Sequence, residues 1–531
     1  SLGGYNGVTN ILANPASVRP GWRFSLLSNS ALYRLRFMAN YASGELDNGW
    51  SFAANVSARL GGNDWVKGVY YRSFAYYFGA EKKFNDEHRL AFMAFATPGS
   101  RGAQNASTQE VYDMMKKNGE FSYNMYNSNW GYYNGKVRNA RVKKTHEPIA
   151  ILKYDFTPES KKLKASATVL YRFGKNGYTA LDWYDAPDPR PDYYRNLPSY
   201  FFMDNTDYNR LNYSKYMWAK EQWEQDIPSI THINWDRLYA VNAMNSTAEG
   251  NRSKYVIEER RTDQQDLNFA ANAKWSPVNC FTLAGGLSYK WNRTEYYKIL
   301  DDLLGGDYYV NIDQFAERDY ASSVTMYQND LDYYLKNGKA QTLKQGDKYG
   351  YDYYANVRRA EAWASGKFSK FGLDVALAGR IGYTKYWREG LLRKGLFPGL
   401  DANGQPMTYE GKVITTYDPI TGDAITSLGK SEVKDFLTGA AKLNVSYVIP
   451  GGHRVYANAA FIADAPNFNQ AFISPRTRNS IVPNLKTNKT LTADLNYAYS
   501  NSGYDVRVTG YYTAIKDQSK VMSFYDDAQN S

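Results

Sequence analysis

The chain has 531 residues, with 64 Lys and Arg against 53 acidic residues dispersed among them, and 16% of it is aromatic, with 49 Tyr against 24 Phe. Mean hydropathy is −0.61, and no stretch approaches the roughly 18 consecutive apolar residues of a membrane-crossing helix, which excludes a helical membrane protein but not a β-barrel, whose strands alternate apolar and polar side chains. The dispersed charge argues against a nucleic-acid partner, and the single cysteine, Cys280, excludes an intramolecular disulfide and a multi-cysteine zinc site and reads as a small buried apolar side chain.

From Tyr33 the apolar period is two: Tyr33, Leu35, Phe37, Ala39 and Tyr41 share one face, and Arg34, Arg36, Met38 and Asn40 the other. The run from Trp50 repeats the pattern, with Phe52, Ala54, Val56 and Ala58 against Ser51, Asn55, Ser57 and Arg59, after the turn-forming SGELDNG. Further along, Leu267, Phe269, Ala271, Ala273 and Trp275 alternate with Asn268, Asn272 and Lys274, and a turn leads to Phe281, Leu283, Leu287 and Tyr289. Hairpins are also expected around Pro450-Gly451-Gly452 and Ser500-Asn501-Ser502-Gly503. Each run is of the 9 to 11 residues that a tilted strand needs to cross a bilayer. The polar face would meet bulk water in a soluble sandwich and a hydrated lumen in a barrel.

Connection lengths favour the barrel. Short links near 157–163, 276–280, 369–372, 450–453 and 500–503 alternate with long ones near 98–146, 174–254, 292–354, 386–434 and 464–489. Tight turns on one side and long loops on the other are the pattern of outer-membrane barrels, whereas soluble domains seldom hold even one such loop. The expected fold is therefore all-β, a transmembrane antiparallel β-barrel with about fifteen strands in this chain. An odd count does not close the usual even-stranded barrel, so the chain is expected to be incomplete. Residues 1–21 read as the entry to the barrel and 22–531 as the barrel with its loops.

Several phrases resemble the TonB-dependent outer-membrane receptors of the Bacteroidota, including the SusC/RagA-like branch. They are GGYNGVTNI (Gly3 to Ile11), LDNGWSFAANVSAR (Leu46 to Arg59), ATPGSRGAQNASTQEVYDM (Ala96 to Met114), SNWGYYNGKVRNARV (Ser128 to Val142) and DDLLGGDYYVNIDQFAERD (Asp301 to Asp319). The resemblance implies a barrel of 22 strands in the intact protein, an N-terminal plug of which residues 1–21 hold the end, location in the bacterial outer membrane, and import driven through TonB by way of sequence preceding this chain. It implies as further partners a SusD-like lipoprotein lid or other outer-membrane subunits, with lipid and lipopolysaccharide around the wall, and neither cofactor nor enzyme activity.

Catalytic chemistry finds no support in the residues. His88, His146, His232 and His453 are isolated, with no spacing for a metal, and His88 and His453 fall at strand starts beside turns. The adjacent acids Glu258-Glu259 and Asp301-Asp302 point to opposite faces of a strand and form no dyad. A binding role fits the stretch from Leu181 to Phe201, read as an external loop, where Trp183, Tyr184, Asp185, Tyr193 and Tyr194 combine stacking faces with a carboxylate suited to a polar organic ligand. The competing reading has these side chains packing the loops on one another. The basic run Lys136, Arg138, Arg141, Lys143 and Lys144 suits contact with anionic lipopolysaccharide. Two functions remain open: an importer of a large nutrient (glycan, peptide or chelate), and a non-transporting subunit of an assembly or secretion complex, whose protein partners the same aromatic loops would hold.

Overall fold

The computed structural model describes residues 12–30, 33–62, 66–117, 123–202 and 212–520. The resemblance at Gly3 to Ile11 lies outside the described residues. One antiparallel sheet runs through the chain, each strand paired with its sequence neighbours. Its strands are β1 (Gly21–Ser28), β2 (Leu35–Glu45), β3 (Trp50–Gly61), β4 (Tyr71–Lys83), β5 (His88–Ala96, resuming at Gly99–Gly102) and β6 (Val142–His146, resuming at Ile149–Phe156). Then follow β7 (Leu163–Trp183), β8 (Tyr255–Val278), β9 (Phe281–Asp302), β10 (Lys348–Lys370) and β11 (Leu373–Gly390). The last are β12 (Gly429–Lys430, resuming at Lys434–Ile449), β13 (His453–Asp464), β14 (Asn488–Ser500) and β15 (Asp505–Lys516). These fifteen strands form the wall of a transmembrane barrel; β1 and β15 are not paired with one another among the described residues.

The two faces of the wall differ as the period of two requires. The outward face is apolar and bare: Leu437 is 70% exposed and Leu495 62%, with Phe37, Phe52, Leu287 and Ile381 in the same situation on other strands. An apolar surface continuous over so many strands is far larger than a soluble monomer presents, so hydrocarbon must cover it. The soluble-sandwich reading falls on this observation. The inward face carries a polar ladder: Asn444 Nδ2 donates to Asn458 Oδ1 (2.6 Å), Asn458 Nδ2 to Asp494 Oδ1 (2.8 Å), and the Thr509 hydroxyl to Asn496 (2.7 Å). Arg380 lies 3.2 Å from Glu361 and 2.5 Å from Asp464 on the same face. In a cysteine scan of β14, Leu495→Cys should resist a membrane-impermeant maleimide, and Asp494→Cys should react once the lumen is open to solvent. Equal labelling of the two would refute the assignment of faces.

One end of the wall has only tight turns. At the turn between β12 and β13, Gly451 and Gly452 take φ of +91° and +87°, which a side chain would strain. The β8–β9 turn consists of Asn279 and Cys280, so the cysteine expected to be buried is only half-buried. A two-residue turn leaves little core to hide in. His88 and His453 open β5 and β13 beside such turns as expected, and each ring meets a tyrosine hydroxyl on the next strand, Tyr154 and Tyr497. Such aromatic pairs mark the boundary between lipid and water.

The other end carries the long loops, and here the strands run past their expected limits. The loop expected from 174 begins after Trp183, the one expected over 292–354 is confined between Asp302 and Lys348, and strand reaches Gly390 beyond the expected limit at 386. Similarly, 99–102 and 142–146 are strand at the ends of the loop expected over 98–146. The reason is physical. Where loops cover both faces of a strand beyond the lipid belt, as on β8, the ladder continues while the apolar alternation stops. Tyr255 and Ile257 enter one buried cluster with Trp235 and Leu304, and Val256 between them enters another with Leu300 and Tyr349.

Candidate functional site

The segment Trp130 to Arg141, where the resemblance is densest, is a clamp between loops. Trp130 is buried against the His232 ring, 4.2 Å between centroids, and its carbonyl accepts from Ile233 N (2.9 Å). A Cβ on Gly131 would lie 1.8 Å from the Ile233 carbonyl oxygen, so only glycine permits this approach. The Arg138 guanidinium sits 4.4 Å over the Trp235 ring and pairs with Asp302 at 2.5 Å. Burial, only partly opposed by Asp226, pushes His232 down to about 4. A histidine depressed in the folded state stabilises it above the ordinary pKa of about 6.5, and that contribution is lost as pH falls toward the folded value. Lowering the pH from neutral to about 5 should cost the clamp roughly 2 kcal/mol. Limited proteolysis of this loop should speed up over that interval, and a His232→Gln variant should lose the dependence.

Beside the clamp, the lumenal faces of four strands converge. The residues Asn272, Asn268, Gln264 and Arg260 lie on one face of β8, so Arg260 continues the lumen wall above the belt. Lys298 of β9 is its register partner. A bulge between Tyr297 and Lys298 then sets Lys298 opposite Tyr349 of β10. Lys298 Nζ donates to Asp182 Oδ2 (2.8 Å) and Glu258 Oε2 (2.9 Å), Tyr349 OH donates to Asp182 (2.9 Å), and Arg260 pairs with Glu258. Burial alone would depress Lys298, but the two carboxylates outweigh it and hold the ammonium well above its ordinary range. Glu259 points away and is taken by Lys144 (3.4 Å), so the adjacent acids diverge as expected.

Above this network opens a cavity of about 220 Å³. Its walls include Trp183, Tyr309, Phe315, Tyr351, Lys394 and Arg476. The segment Asp301 to Asp319 builds one wall: Asp313 accepts from the backbone N–H groups of Phe315 and Ala316 (both 3.2 Å), capping the helix Gln314–Asp319 and setting Gln314 and Phe315 at the rim. A neighbouring cavity that also has Asp182, Trp183, Arg260, Gln314 and Phe315 in its lining adds Arg141 and Arg190. The potential here is positive. Burial raises the Tyr178 phenol, yet Arg260, Arg476 and Arg141 together bring it below its ordinary value. Arg141 lies 5.0 Å over the Tyr178 ring and Arg476 5.2 Å over Tyr351, and among the described residues neither has a carboxylate at ion-pair distance. Lys394 is buried on Asn329 Oδ1 (2.7 Å), and burial pushes it down to about 8.

Of the five residues singled out in the sequence, the structure brings only Trp183 to this cavity, as the last residue of β7. The Tyr184 hydroxyl donates to Glu317 (2.9 Å), and Asp185 is neutralised by Arg252 (2.9 Å) and Lys254 (3.0 Å). Tyr193 and Tyr194 pack edge to face at 4.8 Å under Arg190 and Arg195 and line neither cavity. The basic run is absorbed in part, and Lys136 and Lys143 stay exposed. Arg138 and Lys144 are in ion pairs, Arg141 turns to Tyr178, and Lys143 is the register partner of Tyr178 on the lumenal face. Asp182 falls within the stretch read as a binding loop, whereas Arg260, Lys298, Tyr349, Tyr351, Lys394 and Arg476 were missed in the sequence. The tyrosine-rich run Tyr349 to Tyr354 was the one local signal for them.

Fifteen antiparallel strands with a bare apolar outer face, a polar lumen, tight turns at one end and packed loops at the other define an outer-membrane type of β-barrel. Among solved structures the chain is similar in fold to the ferric-catecholate import receptor Fiu of E. coli K12 in its closed form, with a TM-score of 0.52 at 9% identity over 94% of this chain and 59% of that one. It is also similar to the copper transporter OprC, with a TM-score of 0.51 at 10% identity over 94% of this chain and 56% of that one. The ferric yersiniabactin uptake receptor FyuA from Yersinia pestis gives 0.50 at 9% identity over 94% and 55%. The chain thus spans less than two thirds of the length of these proteins, and at such identities the likeness is one of fold. No family model matches the chain, and no curated protein matches it.

Proposed function

We propose that this chain is the wall and loop portion of a TonB-dependent receptor of the bacterial outer membrane, of the SusC/RagA-like kind, that captures a large polar nutrient at the mouth of its lumen and imports it. The observation that carries this is the pair of neighbouring cavities at the loop end, above a polar lumen, one lined by Arg476 and the other by Arg141, neither of which has a carboxylate at ion-pair distance among the described residues. The fold likeness to uptake receptors for ferric chelates and to a copper transporter supports it. In this reading the intact wall has 22 strands and a plug fills its lumen, as the resemblance to such receptors implies, since a lumen of that width leaks unless it is filled. Coupling to TonB, and a surface lipoprotein lid over the loops, complete the assembly. The cation surplus selects cargo bearing negative charge, a glycan, peptide or chelate with exposed carboxylate or phenolate groups.

The long loops face outward from the cell in this reading. An epitope inserted after Gly404, whose Cβ position is in open space, should be reached by antibody on intact cells. One in the Gly451 turn should be reached only after the membrane is permeabilised. The deciding experiment is purification from native membrane with identification of what co-purifies. A small polar anion held at these cavities supports import. A stoichiometric set of assembly or secretion proteins that persists without TonB would replace import with the accessory role.

A further inference from the structure

Just above the lipid belt, on the outward faces of β9 to β12, cations stack on aromatic rings. The register fixes their level. Leu287, Ala362 and Ile381 form one cross-strand row in the belt, Tyr289, Ala360 and Tyr383 the next toward the loops, and Trp291, Arg358 and Lys385 the row after that. Arg293, Asn356 and Trp387 follow. The Arg358 guanidinium lies between two indoles, 4.8 Å over Trp291 and 5.2 Å over Trp387, and Lys430 lies 5.0 Å over the same Trp387 ring. Arg293 is 3.7 Å over Tyr354.

Apart from Arg293, which pairs with Glu389, these charges are not consumed by the fold. Arg358 spends Nη1 on two backbone carbonyls, Asn292 O (2.8 Å) and Val357 O (2.9 Å), which fixes its orientation. Among the described residues neither Arg358, Lys385 nor Lys430 has a carboxylate at ion-pair distance, and Lys385 is exposed. Two acids are near. Glu389 lies 3.6 Å from Arg293, and Asp435 accepts from Tyr383 OH (3.0 Å). The cations outnumber them. Snorkelling alone calls for long side chains free to reach water, not for a guanidinium held rigid between two tryptophans at headgroup depth.

We propose that Arg293, Arg358, Lys385 and Lys430 form a fixed site on the outer wall for the phosphate groups of an anionic lipid in the leaflet on the long-loop side. The indole and phenol rings seat the headgroup while the acyl chains lie along Leu287 and Ile381. The site is independent of cargo and of import.

The test uses protein purified from its membrane in mild detergent, the native mass spectrum with diphosphoryl lipid A added as the probe, and phosphatidylethanolamine as the zwitterionic comparison. Wild type should retain lipid A and not phosphatidylethanolamine. The double variant Arg358→Gln, Lys385→Gln should retain about tenfold less or lower still, and the lumenal variant Arg141→Gln should retain as much as wild type. If the double variant does not assemble, Lys385→Gln and Lys430→Gln, both on exposed positions, serve in its place. Unchanged retention in these variants, equal loss in Arg141→Gln, or displacement of lipid A by millimolar inorganic phosphate, which would mark a free-anion site, would each overturn the proposal.

Discussion

Replacing Lys298 by methionine should lower the stability of the barrel's loop end by about 3 to 5 kcal/mol, because it strands the Asp182 carboxylate without a counter-charge and leaves buried Glu258 with Arg260 alone. Glu258 is 0% exposed, and Asp182 shares the same ammonium at 2.8 Å. Removing one member of a buried ion cluster costs far more than the cluster contributes when intact, since the remaining charges lose their partner without regaining water. The triple variant Asp182→Asn, Glu258→Gln, Lys298→Met should therefore recover most of the loss. The comparison can be read from unfolding temperatures in detergent. If the single variant unfolds within a degree or two of wild type, the carboxylates are neutralised by some other route. The pH dependence has a definite sign. The folded-state pKa of Lys298 is raised, so its contribution is complete below the ordinary lysine value of about 10.4 and is lost only as pH climbs through the raised one. Near neutral pH the wild type should show no titration from this residue, and its stability should decline only in strong alkali.

The part of this molecule that was legible in its sequence is the part that lies in lipid. Leu267 to Trp275 alternates because one face meets hydrocarbon and the other a polar lumen, and a period of two follows from that contrast alone. The same contrast gave the fifteen strands and the alternation of turns with loops. Above the belt the contrast vanishes. Asp182, Lys298 and Tyr349 lie 116 and 167 residues apart, counted from Asp182, and two bulges adjust the register that brings them together. No local pattern encodes a bulge between Ile257 and Glu258 or between Tyr297 and Lys298. In the segment after Trp183 composition likewise does not show which contacts form within the fold. Tyr184, Asp185, Tyr193 and Tyr194 have the residue types of a binding wall, and in the structure Asp185 meets Arg252 and Lys254 while Tyr193 and Tyr194 lie under Arg190 and Arg195. Residue type shows what a side chain can bind, and only the fold shows whether it is already bound.

The arginines without acid partners are the converse case, and they set the largest functional effect expected. Reversing charge at Arg141 and Arg476 together, as Arg141→Glu, Arg476→Glu, should weaken binding of an anionic cargo by about a hundredfold or more. Each lost charge-assisted hydrogen bond is worth roughly 1.5 to 3 kcal/mol, and every 1.4 kcal/mol is a factor of ten. Both side chains lie over tyrosine rings at the cavity and not in the core, so their replacement should leave the barrel folded. A ferric triscatecholate, which carries net negative charge, and a neutral oligosaccharide of similar mass serve as paired probes in a titration of purified protein. Where the chelate binds wild type, its affinity should collapse in the double variant and should fall with added salt, as exposed charges are screened. The oligosaccharide should distinguish the two proteins by less than about threefold, because stacking on Trp183 and Tyr351 carries no dependence on ligand charge. Should the neutral probe bind wild type tightly while the chelate does not bind at all, the positive potential at Tyr178 would belong to contacts with a plug or lid, and the cargo would be selected by its aromatic stacking and not by its charge.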